Sequence, residues 1–310
     1  MTPRPILIDT DPGQDDAVAI LLALASPELE VKAITAVSGN VPVEKTARNA
    51  LRTVELAGAD VPVAAGCDRP MRRPAAHAEH VHGETGLDGA DLPDPTRALD
   101  PRHGVDVIVE TARATDGLTL VPLGPLTNVA TALTRAPDIA ERLDRIVLMG
   151  GAYFEVGNIT PAAEFNIWAD PEAAAIVFGS GVPITCVPLD CTHKALTTRP
   201  RVDRFRAMPN RAGPVVAGWL DFFERFDVAK YGSDGGPLHD PCTIAWLLRP
   251  DLFSGREVNV EIETQSDLTR GMTVADWWRV TDRAPNCLFL GDVDSDGFYD
   301  LLAERIGRLP

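Results

Sequence analysis

The sequence lacks features that would assign it to several large classes of protein. No apolar run approaches the roughly 20 residues of a membrane span. Basic residues are scarce, since 29 Lys and Arg stand against 45 Asp and Glu, for a formal net charge of -16. This acidic balance disfavours nucleic acids and anionic membranes as partners. We therefore expect neither a nucleic-acid partner nor a membrane partner.

Cysteine is also sparse, with five residues in 310. An odd number of cysteines without a Cys-x-x-Cys pair indicates reduced core residues and no disulfide framework. The first residues contain no secretory apolar region, because the short apolar run that follows them meets Asp9 after three residues. The sequence therefore predicts a cytoplasmic protein.

The most informative stretch is the opening one, residues 6–17. Ile6-Leu7-Ile8 predicts a buried strand of a parallel sheet, and residues 15–24 predict a helix with acids in its first turn. A single Asp at such a junction is usually a helix cap. Several carboxylates in one place repel each other unless a cation such as Ca²⁺ or Mg²⁺ neutralises them. We therefore predict a metal or catalytic site here, formed by Asp9, Asp11, Asp15 and Asp16.

Strands and helices alternate along much of the remaining chain. We predict strands at residues 31–37, 61–64, 118–122, 146–149 and 182–187, and helices at 43–57, 105–114, 200–230 and 241–248. Such alternation is typical of βαβ units and a parallel sheet. Residues 257–290 alternate apolar and polar side chains and predict antiparallel edge strands. The predicted fold is a single α/β domain with an open, mostly parallel, Rossmann-like sheet flanked by helices and a small antiparallel extension near the C-terminus.

Residues 66–103 interrupt this pattern with many Gly, Pro and His and no sustained periodicity. Loops of this length are uncommon and are usually functional lids or disordered segments. His77, His80 and His82 could form a zinc site, but no fourth ligand follows at the usual spacing. We favour a mobile active-site loop that brings a polar group over a pocket.

Two polar groups later in the chain allow two interpretations each. Asn158, Glu164 and Asn166 either satisfy loop backbone or point into a site as readers of hydroxyl groups. His239-Asp240, at a helix start, is either a helix cap beside a surface histidine or a general acid beside a further metal carboxylate.

The segment 292–297 mimics the start of an EF-hand loop. Its twelfth position is Ala303, where an EF-hand requires a bidentate Glu. We therefore predict the cap of a final helix there and no calcium site.

Taken together, these residues resemble the nucleoside hydrolase family, in particular the inosine–uridine-preferring nucleoside N-ribohydrolases. The resemblance covers nearly the whole chain, and its most specific element is the acidic turn at residues 9–17. The other matching segments stand in the family's order: Ser38-Gly39-Asn40, residues 81–87, residues 123–128, Met149-Gly150-Gly151, residues 157–166 and His239-Asp240.

The resemblance implies calcium-dependent hydrolysis of the N-glycosidic bond of ribonucleosides to free base and ribose, through an oxocarbenium-like transition state. It implies that Ca²⁺ is held by Asp11, Asp16, the main-chain carbonyl of Leu123 and Asp240. Asp11 would also be the general base for the attacking water, and His239 would be the leaving-group acid or a contact to the base. Asp9 would support the site from behind.

The resemblance also implies a set of substrate contacts. Asp15 and Asn40 would hold the ribose diol and the water, and His82 would close over the base. Either Tyr231 or an aromatic residue within 219–226 would stack on the base. The remaining implied contacts, on the 3′- and 5′-hydroxyl side and beside it, are Asn158, Glu164, Asn166 and Met149.

The resemblance suggests a homodimer or homotetramer and leaves the choice between purine and pyrimidine nucleosides open. A haloacid-dehalogenase-like phosphohydrolase is one alternative, with Asp9 as nucleophile. That reading leaves Asp15, Asp16 and the Asn-Glu-Asn group without a role. A non-catalytic nucleoside-binding protein is another, and its mark would be a lost metal carboxylate. None is lost in this sequence.

Overall fold

The computed structural model describes residues 2–232 and 234–310, and the side chains of residues 226–231 lie outside the described part. The strands are β1 (Arg4–Thr10), β2 (Leu29–Ala36), β3 (Val63–Ala65), β4 (Leu118–Pro122), β5 (Leu143–Met149), β6 (Ile184–Val187), β7 (Leu196–Thr197), β8 (Gly236–Pro237), β9 (Phe253–Val258), β10 (Val260–Ile262), β11 (Thr273–Ala275) and β12 (Cys287–Val293). The helices are α1 (Gln14–Leu24), α2 (Val43–Leu56), α3 (Glu79–His82), α4 (Gly104–Ala114), α5 (Thr127–Arg135), α6 (Phe165–Ala169), α7 (Pro171–Phe178), α8 (Leu189–Thr192), α9 (Arg199–Arg206), α10 (Ala212–Tyr231), α11 (Pro241–Leu248) and α12 (Ser295–Ile306).

The central sheet has eight strands in the order β3-β2-β1-β4-β5-β6-β12-β9. Its neighbours pair in parallel except β9, which runs antiparallel to β12 at the edge. Two small antiparallel pairs, β10-β11 and β7-β8, lie outside it. This confirms the predicted α/β class. The strand order reverses between β1 and β4, and in open α/β sheets ligands bind beyond the carboxyl ends of the strands at such a point.

The first strand is apolar because helices cover both faces of the sheet. Ile6, Leu7 and Ile8 are fully buried. Ile6 and Ile8 pack in one core with α1 and α11, and Leu7 packs in the other with α4 and α5. Helix α1 is itself buried from Gln14 to Ala23. Strand and helix therefore hold the acidic turn between them firmly against the core.

Two predicted segments, residues 66–103 and 200–230, differ in detail from the structure. Residues 66–103 contain the short helix α3 and a bridge from Asp100 to Ala64, and the rest is irregular. The movement predicted for this segment stays a prediction. The helix predicted over 200–230 is two helices, since Pro209 lies between α9 and α10. Asn210 accepts a hydrogen bond from Gly213 N at 3.1 Å, which helps to start α10.

The prediction of antiparallel edge strands over 257–290 was wrong for β12. This strand lies inside the sheet, parallel to β6, because its Cys287, Phe289 and Leu290 are buried. Asp294 accepts a hydrogen bond from Gly297 N at 3.1 Å and caps α12, as predicted. In residues 2–232 and 234–310 no helix is long and apolar enough to cross a membrane.

Candidate active site

The acidic turn at the end of β1 is buried and internally hydrogen-bonded. Asp9, Asp11, Asp15 and Asp16 are each at most 5% exposed. The Asp16 carboxylate accepts hydrogen bonds from Gly13 N at 2.9 Å, from Asp11 N at 3.3 Å and from the Thr10 hydroxyl at 2.5 Å. Asp16 therefore closes the turn that links β1 to α1.

Asp11, in the loop after β1, is held in one orientation by the loops that follow the two strands neighbouring β1 in the sheet. Asn40 N donates to its Oδ2 at 2.7 Å, and the Asn40 side chain donates to the Asp11 carbonyl at 3.1 Å. Both flanking glycines are needed for space. A Cβ at Gly39 would stand 2.0 Å from Asp11 Oδ2, and one at Gly124 would stand 2.1 Å from Oδ1. The loops after β2 and β4 thus enclose this carboxylate.

Asp240, immediately before α11, completes the acidic cluster. Asp15, Asp16 and Asp240 are all buried, and each has a carboxylate oxygen within 4.8 Å of those of the other two. Burial, together with the charge of Asp16, raises the pKa of Asp11 well above its usual range. Burial and the charges of Asp15, Asp16 and Asp11 do the same to the pKa of Asp240. Such a cluster needs either protons or a cation, and its oxygen-only donors suit Ca²⁺ or Mg²⁺.

The predicted carbonyl ligand lies at the end of β4. The Leu123 carbonyl accepts a hydrogen bond from Asn166 Nδ2 at 2.7 Å. The same amide donates to the Met149 carbonyl at 3.2 Å, so it links the ends of β4 and β5. Because a carbonyl oxygen has two lone pairs, the contact with Asn166 leaves one for a cation.

Asp9 lies behind the cluster and away from the cleft. Its Oδ1 accepts hydrogen bonds from the Thr35 hydroxyl at 2.5 Å and from Asn128 Nδ2 at 2.8 Å. Burial raises the pKa of Asp9 to about 7. The cleft is lined instead by Asp11, Asp15 and Asp16. This placement contradicts the alternative in which Asp9 is the nucleophile of a phosphohydrolase.

The polar group from residues 158–166 both satisfies backbone and faces the cleft. Glu164 accepts hydrogen bonds from Asn166 N at 2.8 Å, Gly151 N at 2.9 Å and Ile167 N at 3.3 Å, and it caps α6. Burial raises the pKa of Glu164 to about 7 despite these donors. Asn158 Oδ1 accepts from Phe165 N at 2.9 Å. Among the lining residues are Asn158, Glu164, Asn166 and Met149.

Histidine and aromatic rings also line the cleft. The His82 ring centroid lies 5.5 Å from that of Phe223, which is 6.2 Å from that of His239. His239 Nδ1 is 2.7 Å from the Thr192 hydroxyl. Burial lowers the pKa of both His82 and His239 to about 3, so both are neutral at pH 7. The two histidines therefore offer uncharged hydrogen-bonding groups to the cleft, and Phe223 offers an aromatic ring.

The zinc alternative for the loop histidines does not fit the structure. His77 Nδ1 lies 3.0 Å from the Gly39 carbonyl, whereas His82 Nδ1 lies 2.8 Å from Gln14 Oε1. Their rings are thus engaged by separate partners. The predicted base contact Tyr231 belongs to α10, but its side chain lies outside the described residues, so its role stays a prediction.

Two cleft residues were not singled out by the sequence. His193 lines the cleft beside His239, with 6.0 Å between the ring centroids, and its Nδ1 lies 3.1 Å from Glu155 Oε2. Its only sequence signal is its position a few residues after β6. Phe223 lies within residues 219–226, where the resemblance implied an aromatic residue that stacks on the base, but the sequence did not distinguish it from the other aromatic residues of that range. Trp219 is buried in the core, but Phe223 faces the cleft.

Comparisons with known proteins agree with this geometry. The profile of the family described as "Inosine-uridine preferring nucleoside hydrolase" matches residues 6–300. The pyrimidine-specific ribonucleoside hydrolase RihA of Escherichia coli K12 is 52% identical over 305 residues, which cover 97% of this chain and 98% of RihA. An uncharacterised protein of Schizosaccharomyces pombe is 55% identical over 308 residues, which cover 98% of this chain and 99% of that protein.

A solved structure shares the fold closely. The purine-preferring ribonucleoside hydrolase from Gardnerella vaginalis superposes with a TM-score of 0.92 at 33% identity, over 98% of each chain. The family match spans nearly the whole sequence and covers all or most of every strand of the central sheet. The chain belongs to the inosine–uridine preferring nucleoside hydrolase family and is a ribonucleoside hydrolase.

Proposed function

We propose that the chain is a calcium-dependent hydrolase of pyrimidine ribonucleosides that releases free base and ribose. The observation that carries this proposal is the mixed lining of one cleft. Buried carboxylates share it with neutral histidines and an aromatic ring. A ribonucleoside combines matching groups, since its sugar is rich in hydroxyl groups and its base is flat and largely uncharged.

Asp11, Asp16, Asp240 and the Leu123 carbonyl would hold the calcium ion. The carboxylates of Asp16 and Asp240 cluster with that of Asp15, and the charge of Asp11 contributes to the raised pKa of Asp240. The raised pKa values of Asp11, Asp16 and Asp240 and their oxygen-only donors support this assignment. When bound, the ion would offset the carboxylate repulsion and make a water molecule more acidic.

Asp11 is the proposed general base. A base must stand within hydrogen-bond reach of the water that attacks the anomeric carbon. The Asn40 N–H and the two flanking glycines hold the Asp11 carboxylate in a fixed orientation at the floor of the cleft. Little reorganisation is then needed when the proton is transferred to Asp11.

The carboxylates of the cleft would also stabilise the sugar in the transition state. Cleavage of the N-glycosidic bond places positive charge on the ribosyl ring, and nearby carboxylates favour that charge. Asp15 and Asn40 would bind the ribose diol, and Asn158, Glu164 and Asn166 would bind the 3′- and 5′-hydroxyl side. Met149 would pack beside them, since it also lines this part of the cleft.

The histidine and aromatic rings would receive the base. His239 would donate a proton or a hydrogen bond to the leaving base, His82 would contact its edge, and Phe223 would pack against its face. The preference for pyrimidines is supported by RihA, a pyrimidine-specific enzyme by its name, at 52% identity. The purine-preferring enzyme of known structure is more distant, at 33% identity.

A pair of aspartate variants tests the mechanism. Asp11→Asn should lower kcat by about 10³-fold, because removal of a general base commonly costs about 10²–10⁴-fold. Asp9→Asn is the matched control, since Asp9 is equally buried but stands behind the cleft. It should retain activity within about tenfold, since Asn keeps the Oδ1 acceptor for Thr35 and Asn128. Undiminished activity of Asp11→Asn would contradict the assignment of the base.

The assembly and location rest on the resemblance and on composition. We propose a homodimer or homotetramer in the cytoplasm. Five cysteines without a disulfide are consistent with a reducing compartment. Sedimentation equilibrium would measure the oligomeric state, and a monomer at micromolar concentration would contradict the first part of this proposal.

A further inference from the structure

One side chain on α1, Gln14, contacts the segment that contains His82 and Asp88. Its Nε2 lies 2.9 Å from the His82 carbonyl and 3.0 Å from the Asp88 carbonyl. Its Oε1 lies 2.8 Å from His82 Nδ1. Gln14 is fully buried. We propose that Gln14 is a positioning residue that fixes His82 as the Nδ1–H tautomer, so that the bare Nε2 of His82 accepts a hydrogen bond from an N–H of the nucleobase.

The hydrogen-bond network determines the tautomer without an observed proton. Backbone carbonyls can only accept hydrogen bonds, so the end of the Gln14 amide that faces the carbonyls of His82 and Asp88 must be the NH₂. The other end is then the oxygen, which also can only accept. His82 Nδ1 must therefore donate, and it carries the proton. In the neutral ring the remaining nitrogen, Nε2, is left as an acceptor.

The packing around His82 restricts its ring. A Cβ at Gly13 would stand 2.3 Å from His82 Nδ1, so the backbone of the acidic turn lies directly against this edge of the ring. His82 is only 7% exposed and borders the cleft. Within residues whose side chains are described, Nε2 has no hydrogen-bond partner from the protein. Nε2 is therefore the polar atom that His82 can offer to a ligand.

The second histidine of the cleft is held differently. His239 Nδ1 contacts the Thr192 hydroxyl at 2.7 Å, and a hydroxyl can donate or accept. His239 can therefore exchange tautomers, as suits a residue that passes a proton to a leaving group. His82 is locked as an acceptor, which suits recognition. The two neutral histidines thus differ in chemistry because the hydrogen-bond partners of their Nδ1 atoms differ.

The inference rests on the proposed function, since it assumes that the base lies beside His82. An acceptor at Nε2 favours a base with an N–H at its edge, such as the N3–H of uracil. A base whose corresponding position is methylated would leave the buried Nε2 unpaired. Discrimination of about 5- to 150-fold against such a base is therefore expected.

Asn49, on α2, provides a matched control. Its Nδ2 donates to the Pro12 carbonyl at 3.1 Å and to the Thr85 carbonyl at 2.8 Å. It thus ties the same loop to the same turn, but it does not touch the His82 ring. A variant Asn49→Leu loosens the loop as Gln14→Leu would, and leaves the partner of Nδ1 in place.

The first measurement is the ring-nitrogen spectrum of His82 in the intact ¹⁵N-histidine-labelled protein, assigned by the loss of its signals in His82→Asn. Wild type and Asn49→Leu should show a protonated Nδ1 and a bare Nε2. Gln14→Leu should show the Nε2–H tautomer or a mixture. A wild-type Nε2–H tautomer would overturn the inference, even if no Gln14 variant folds.

The second measurement compares kcat/KM for uridine and 3-methyluridine. Wild type and Asn49→Leu should prefer uridine by at least about fivefold, and Gln14→Leu should lose most of this preference. An unchanged preference in Gln14→Leu would overturn the role in recognition. If wild type hydrolyses no nucleoside at all, the proposed function fails, and the spectrum still decides the tautomer.

Discussion

Asp240→Asn should stabilise the calcium-free protein while abolishing its stabilisation by calcium. The carboxylate oxygens of Asp15, Asp16 and Asp240 lie within 4.8 Å of one another. At that separation two unit charges repel by about 3.5 kcal/mol for an effective dielectric constant near 20. Part of this repulsion is relieved by bound protons, as the raised pKa of Asp240 indicates. The net gain should be about 1–3 kcal/mol.

Urea unfolding at pH 7.5, with EGTA and with millimolar calcium, measures both effects. Wild type should be more stable with calcium than with EGTA, since a ligand that binds only the native state stabilises it. Asp240→Asn should show a higher free energy of unfolding in EGTA than wild type and little response to calcium. The same or lower stability in EGTA, with the calcium response retained, would refute the assignment of Asp240 to a cation site.

Asp170→Asn is the matched control for this experiment. Asp170 is also buried, but its Oδ2 accepts hydrogen bonds from the Thr127 hydroxyl at 2.7 Å and from Met71 N at 2.9 Å. Replacing that oxygen by an NH₂ turns an acceptor toward the Met71 N–H into a donor. We therefore expect a loss of about 1–3 kcal/mol in both buffers. Stabilisation by any buried Asp→Asn change would indicate a general effect of charge rather than a cation site.

Three further predictions concern the sugar, the turn and pH. If the polar residues of the cleft bind the ribose diol, kcat/KM for 2′-deoxyuridine should fall at least about 100-fold below that for uridine, and equal values would contradict this. Gly124→Ala places a Cβ 2.1 Å from Asp11 Oδ1 and should abolish activity. Gly291→Ala, whose Cβ would have nothing within 4 Å, should not. Equal activities of the two variants would contradict the claim that the loops hold the Asp11 carboxylate in one orientation. Because burial raises the pKa of Glu164 from 4.5 to about 7, the native state binds this proton more tightly, and stability falls as pH rises from 4.5 to 7. In EGTA this contribution is about 3 kcal/mol, and Glu164→Gln should remove it; parallel stability–pH curves would refute it.

Much of the fold could be predicted because the sequence pattern is local and strong. Ile6-Leu7-Ile8 is apolar without alternation, as a strand covered on both faces must be, and Asp294 stands where a helix cap is needed. The position of β12 could not be predicted in this way. Its alternation of side chains fits either an edge or an interior strand, and only its pairing with β6 decides between them.

The candidate site could be predicted where several of its residues belong to one sequence motif. It was harder to predict where single residues come from separate segments. The acidic turn marks its own chemistry, and its resemblance to a known family supplied Asp240 and the Leu123 carbonyl from distant segments. Gln14 has no such mark, because a Gln in the first turn of a helix is ordinary on a surface. Its role depends on the return of the loop that bears His82, which is 68 residues away. His193 was missed for the same reason.

Hydrolysis of uridine with calcium present, followed by chromatography of both products, tests the central claim most directly. We predict uracil and free ribose in equal amounts, no requirement for phosphate, and loss of turnover in EGTA that calcium restores. Uridine left intact, or ribose 1-phosphate formed in place of ribose, would contradict the account.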